Sequence, residues 1–210
     1  MTFEVWLAFA SASIALLLIP GPTVLLVLSY ALTQGRRVAV ATAAGVALGD
    51  LIAMTTSLLG LGALVMASAT MFTVLKWAGA AYLIYLGYRL FRSAPSEAFG
   101  DIEQPVAASA RQVFGHATTV TALNPKSIAF FIAFAPQFVS TEAPLAPQFM
   151  ILIATFVTLA AVNALAYAMM ADKLRQRITR PYVLRWLTRI GGGAIMGMGL
   201  WTAALRRAGA

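Results

Sequence analysis

Ile19-Pro20-Gly21-Pro22 interrupts a long apolar run, with Phe9 to Leu18 before it and Thr23 to Leu32 after it. Leu123-Asn124-Pro125-Lys126 interrupts a second run, over residues 113–139, in the other half of the chain. Proline has no amide proton and its ring clashes with the preceding turn, so each step frees backbone polar groups. Lipid cannot satisfy such groups, and broken helices persist in a membrane only inside protein or against a polar cavity. Interrupted segments at matching places in two halves point to the substrate site of a transporter.

The composition agrees with a membrane setting. Of 210 residues, 60% are hydrophobic and only 10% charged, and the mean hydropathy is +0.83. A soluble domain carries about 25% charged residues. A spanning helix needs roughly 20 apolar residues. Six such segments can be drawn, over residues 5–33, 38–66, 71–91, 113–139, 147–170 and 184–205. Their continuous apolar character reads as helix rather than as short, alternating membrane strands. Gln34-Gly35-Arg36-Arg37 separates the first pair, and Ala67-Ser68-Ala69-Thr70 reads as a tight turn before the third. The fold expected is an all-α integral membrane protein, a single transporter domain over residues 1–210. It comprises a three-helix repeat over about residues 1–92, a polar connector over 93–110 and a second repeat over 111–210.

The halves match beyond their broken helices, 1 and 4. Lys76-Trp77-Ala78-Gly79-Ala80-Ala81 and Arg189-Ile190-Gly191-Gly192-Gly193-Ala194 open the third and sixth segments, and Asp50 falls on Asn163 at the same offset. Three spans per half make the second repeat inverted relative to the first. Arg36, Arg37, Arg89, Arg92 and Arg111 crowd the first and third loops, and Lys173, Arg175, Arg177, Arg180, Arg185 and Arg189 the fifth. The opposite side receives only Lys76, Arg206 and Arg207. Cations prefer the cytoplasmic side, so both termini are expected outside the plasma (inner) membrane. The same reasoning accounts for the net charge of +8 without nucleic acid. The N-terminal run, with Glu4 in place of a positive leader, does not read as a cleaved signal peptide.

Cysteine is absent, which excludes disulfides and thiolate metal sites, and the lone His116 cannot build a metal centre; no cofactor is expected. His116 reads as a partly solvated residue near the mouth of the fourth helix. Two ionisable side chains lie deep in apolar segments, Asp50 and Lys126. An intramembrane charge is costly enough to be a functional-site hypothesis by default. The plainer reading is that the two neutralise each other and pin helix two to helix four, which is compatible with exchange onto a substrate. Pro20, Gly21 and Pro22 leave the following half-helix with an open, anion-attracting N-terminus. Asn124, before Pro125, can cap a half-helix or meet substrate, and Asn163 likewise. Gly45 and Gly49, four apart, permit close helix approach, as do Gly79 and Gly192. Trp77, Tyr82, Tyr85, Tyr88 and Trp201 read mostly as interface or packing aromatics.

At these residues the chain resembles the LysE/RhtB family of amino-acid exporters. The similar elements are Pro20-Gly21-Pro22, Gly45 with Gly49-Asp50, and Lys76-Trp77-Ala78-Gly79-Ala80-Ala81-Tyr82-Leu83 followed by Tyr85-Leu86-Gly87. The second half adds Asn124-Pro125-Lys126 and the stretch from Phe130-Phe131 to Pro136-Gln137-Phe138. The resemblance covers nearly the whole chain. It implies a six-helix inner-membrane exporter driven by the proton or ion gradient, and it supplies the direction of transport. The residues themselves favour a neutral α-amino acid. Lys126 and the half-helix end after Pro22 suit its carboxylate, Asp50 suits its ammonium, and no second acidic residue at that depth could meet a basic side chain. Hydroxyls of Thr23, Thr55 or Thr121 suit a small polar side chain. Protons are the coupling ion expected, and a homodimer is left open. A divalent-cation exporter would want more acidic, histidine or cysteine ligands. A membrane-embedded enzyme would want a nucleophile–base pair or a metal motif, and neither G-x-S-x-G nor H-E-x-x-H occurs.

Overall fold

A computed structural model describes residues 1–19, 21–34, 38–92 and 108–171, with scattered positions from 186 to 200. Pro20, Gly192, Arg36, Arg37, most of the connector and the loop over 172–185 lie outside the described residues. Among the described residues every regular element is a helix.

The expected first segment is two helices, α1 (Phe3–Leu18) and α2 (Pro22–Gln34), whose axes differ by 56°. α2 opens on Pro22, where a missing amide is tolerated because the first turn has no intrahelical use for it. The fourth segment is likewise split, into α5 (Ala110–Ala122) and α6 (Pro125–Phe134), and α6 too begins with proline. A four-residue 3-10 turn, Ala135–Phe138, ends that segment. Between the broken pairs run α3 (Ala39–Ala67) and α4 (Ala69–Arg92), and α7 (Leu145–Met169) follows the second pair.

The 29 residues of α3 extend about 43 Å at 1.5 Å per residue, more than a hydrocarbon core of about 30 Å. α3 and α7 are each long and apolar enough to cross a membrane, and the bent pair α1–α2 makes a third candidate span.

The turn expected over residues 67–70 is a single non-helical residue, Ser68. Its amide closes α3 on Leu64 O at 3.0 Å, while its carbonyl and hydroxyl receive the Phe72 and Met71 amides at the start of α4. One residue thus caps two helices, and no longer turn is needed.

α3 is the central element, packed on α5 and α7. Its buried face repeats every three or four residues through Thr42, Gly45, Val46, Gly49, Asp50, Ala53 and Met54. A Cβ on Gly45 would lie 2.8 Å from Ala117 Cβ, and one on Gly49 would lie 2.6 Å from Thr121 Cβ and 2.7 Å from Thr118 O. Both glycines therefore press backbone against α5. Gly79 does the same between α4 and α6, where a Cβ would meet Ala133 Cα at 2.9 Å. Lipid is as apolar as leucine, so helix association in a membrane depends on this close packing rather than on hydrophobic burial.

An aromatic cluster ties α1, α6 and α7 together. Phe130 and Phe134 ring centres are 4.4 Å apart, Phe131 meets Phe156 edge-on at 4.7 Å, and Phe138 meets Phe9 at 5.4 Å. Such pairs prefer these tilted and edge-to-face arrangements because the ring quadrupoles then attract. The cluster fixes α1 against α6 and α7, the three elements that meet at the first break.

Candidate functional site

The site begins with four backbone carbonyls. α1 ends at Leu18, and the amide of its cap Ile19 turns back to Leu16 O at 3.2 Å. A helix leaves its last carbonyls without intrahelical partners, and lipid offers none. Here side chains of the second half supply them. Lys126 Nζ donates to Leu16 O at 3.0 Å and to Ile19 O at 2.7 Å. Asn163 Nδ2 donates to Leu17 O at 3.2 Å, and the Tyr167 hydroxyl to Leu18 O at 3.3 Å. A cation at the C-terminal end of a half-helix also complements its dipole. Asn163 and Tyr167, four apart on α7, share one helix face and so reach successive carbonyls.

The other side of the same break faces α5 and α6. Asn124 caps α6, its Oδ1 accepting the Lys126 amide at 3.0 Å. The same side chain donates from Nδ2 to Thr23 Oγ1 at 3.1 Å, on the first turn of α2. The Thr23 and Thr121 hydroxyls are 3.4 Å apart. Gly21 leaves room for the lysine stem: a Cβ there would lie 3.4 Å from Lys126 Cδ and 3.6 Å from its Nζ.

Asp50 closes the arrangement from α3. It lies 11 residues after Ala39, about 16 Å along the helix, and is only 2% exposed. Gly49 and Gly45 hold this face of α3 inward. Asp50 Oδ1 is the only buried side-chain oxygen or nitrogen among the described residues that has no hydrogen-bond partner. No direct ion pair joins Asp50 to Lys126: the ammonium bonds to carbonyls at the end of α1, and Asp50 Oδ1 accepts no bond. Buried polar groups are nearly always paired, so an orphan carboxylate oxygen calls for an explanation such as a ligand.

These groups line a cleft with about 480 Å³ of empty space, its open mouth included. Of the residues expected at the site, Gly21, Asp50, Asn124, Lys126 and Asn163 line it together. Pro22 and Pro125 do not; they start the half-helices whose ends do. Thr23 lines it too, whereas Thr121 lies behind it and Thr55 elsewhere on α3. Tyr167 and Ser127 were not foreseen from sequence; the spacing of Tyr167 from Asn163 was the signal for the former. His116 stands apart, its Nδ1 2.8 Å from the Tyr30 hydroxyl between α2 and α5. No group of three or more metal-ligating side chains occurs among the described residues.

A cleft between two broken helices, lined by one acid, one lysine and two amides, is where a substrate site would be sought in a transporter. The family model of the LysE type translocator matches residues 14–204. The chain belongs to the LysE family. A homoserine/homoserine lactone efflux protein of Salmonella typhimurium is 35% identical over 208 residues, covering 99% of this chain and 100% of the relative. An uncharacterized membrane protein of Vibrio cholerae is 32% identical, over 98% of this chain and all of that one. A leucine efflux protein of Klebsiella pneumoniae is 28% identical over 138 residues, 66% of this chain and 65% of its own. No solved structure matches the chain. This LysE family member is thus a membrane translocator with amino-acid efflux proteins among its relatives, and not an enzyme.

Proposed function

We propose that the chain exports a small neutral α-amino acid from the cytoplasm across the inner membrane, in exchange for protons. Asp50, which lines the cleft and whose Oδ1 has no hydrogen-bond partner, carries this reading. It is an acceptor waiting for a donor, and a substrate ammonium is such a donor. The substrate carboxylate suits the opening turn of α2, where Gly21, Thr23 and Val24 line the cleft at the positive end of the half-helix dipole. The relatives named for homoserine/homoserine lactone efflux and for leucine efflux are in keeping with a small solute that carries one amino group. When no ammonium is bound, a proton can take its place on Asp50, so that loading of one and loss of the other couple the two fluxes.

The architecture proposed with it has six spans in two inverted three-helix repeats, with both termini outside. The paired breaks support it, as do Arg36 and Arg37 in the first loop, Arg89, Arg92 and Arg111 flanking the third, and the cations over residues 172–185. Single cysteines placed in this cysteine-free chain test the orientation. A cysteine beside Asp101 should resist an impermeant reagent applied from outside, and ready labelling would reverse the topology.

The function is tested by loading cells with single amino acids as dipeptides and following efflux with and without the protein. Faster efflux of homoserine, threonine or leucine is expected. Preferential efflux of lysine or arginine would contradict the neutral substrate, and faster uptake would contradict the direction.

A further inference from the structure

We propose that Lys126 sets the net charge of the solute carried: with Asp50 it makes the cleft neutral, so a zwitterion is accepted and a net cation refused. The proposal rests on reading the chain as an amino-acid exporter. Asp50 and Lys126 are the only charged side chains lining the cleft among the described residues. The break itself adds nothing net, because the C-terminal end of α1 and the N-terminal end of α2 contribute partial charges of about one half and of opposite sign. The sum is zero before any solute enters, and uncompensated charge is what a membrane core least tolerates.

Lys126 is fixed in this role by its partners. Its ammonium is held by Leu16 O and Ile19 O, and its stem lies against Gly21. The two intervening carbonyls are taken by Asn163 and Tyr167. The four carbonyls at the end of α1 are thus each already hydrogen-bonded. Asp50 is the one anionic side chain lining the cleft among the described residues, and its Oδ1 has no hydrogen-bond partner. A zwitterion brings one ammonium and restores neutrality with its own carboxylate. A solute with a net positive charge is repelled by Lys126. Lys126 thus acts as a tethered cation that counts against any second one.

The test compares an amino acid with its own primary amide, which keeps the side chain and ammonium and lacks the carboxylate. Both are preloaded into proteoliposomes at about pH 6, where the α-amino group is protonated. Wild-type protein should favour the acid. Lys126→Gln retains amide donors for the carbonyls and loses the charge, and should shift the amide-to-acid efflux ratio upward by roughly tenfold or more, about 1.4 kcal/mol per factor of ten. Lys126→Arg, which keeps the charge, should leave the ratio as in wild type. The double variant Asp50→Asn with Lys126→Gln is neutral again, and in direct binding measurements it should lose the preference for the amide that Lys126→Gln gains. An unchanged ratio in Lys126→Gln, with both solutes slowed alike, would show a structural seat only and overturn the proposal. If Lys126→Gln fails to insert, the double variant decides by insertion alone: its recovery in the membrane supports charge balance, and its absence from the membrane contradicts it. A wild-type protein that carries neither solute would instead sink the exporter reading on which the proposal rests.

Discussion

At residues 123–125 the chain closes its helix break with its own neighbours, whereas at residues 19–22 it borrows partners from the other half. α5 ends with the Leu123 amide on Thr119 O at 3.0 Å and the Asn124 amide on Thr121 O at 3.1 Å. Asn124 then caps α6 with its own side chain. The first break has only the Ile19 amide turning back, and its four carbonyls depend on Lys126, Asn163 and Tyr167, over a hundred positions along the chain. A break that caps itself is a rigid platform. One that is capped from across the molecule opens when the halves shift, and this is the break that faces the orphan carboxylate.

Substitutions should separate the two breaks. Lys126→Ala leaves Ile19 O unpaired, removes one of the two bonds to Leu16 O and leaves Asp50 without its counter-charge. An uncompensated buried charge costs about 3 kcal/mol or more. Asn124→Ala removes one cap, worth about 1 kcal/mol. Unfolding in detergent should therefore rank the lysine variant well below the asparagine variant. Equal losses would break the comparison, since the second break would then be no more self-sufficient than the first.

The platform can be disturbed from α3. Gly49→Ala places a methyl group against Thr121 and Thr118 of α5, where neither backbone has room to yield. Overpacking of this kind costs about 2 kcal/mol. Lower stability is expected, with a loss of efflux per folded molecule smaller than that caused by changing the cleft's own side chains. Wild-type stability would mean that α3 and α5 are looser than these contacts require.

The smallest stability effects belong to the borrowed caps on α7. Asn163→Ala and Tyr167→Phe each remove one hydrogen bond, about 0.6 kcal/mol in a membrane bundle. Efflux should nevertheless change more in these variants than in Gly49→Ala, because the bonds they lose hold the end of α1 that lines the cleft. The opposite order of efflux defects would contradict this.

Much of this was legible in the sequence because the signals are local. Proline marks both breaks and both half-helix starts, Asn124 precedes Pro125 as a cap should, and the four-residue spacing of Gly45 and Gly49 marks close approach. Asp50 stood out as an acid with no reason to be in lipid. The direction of Lys126 was not legible. Sequence suggested Asp50 or a substrate carboxylate as its partner, whereas it binds Leu16 O and Ile19 O. Carbonyl oxygens belong to every residue and leave no mark in the letters, and their availability here arises only because α1 stops. Tyr167 was missed for the same reason: its partner is the Leu18 carbonyl, visible only once α7 is packed across the end of α1.

The central claim is that the cleft at the first break, with Asp50 as its free acceptor, is where solute and proton exchange. Asp50→Asn tests it most directly, because the side-chain shape is kept and Lys126 retains its seat on α1. Wild-type and variant protein are reconstituted at equal density into proteoliposomes loaded with amino acid, and flux is followed under an imposed pH gradient. The account predicts that the variant inserts normally and that its gradient-driven flux falls to that of protein-free vesicles. Undiminished gradient-driven flux through the variant would contradict it.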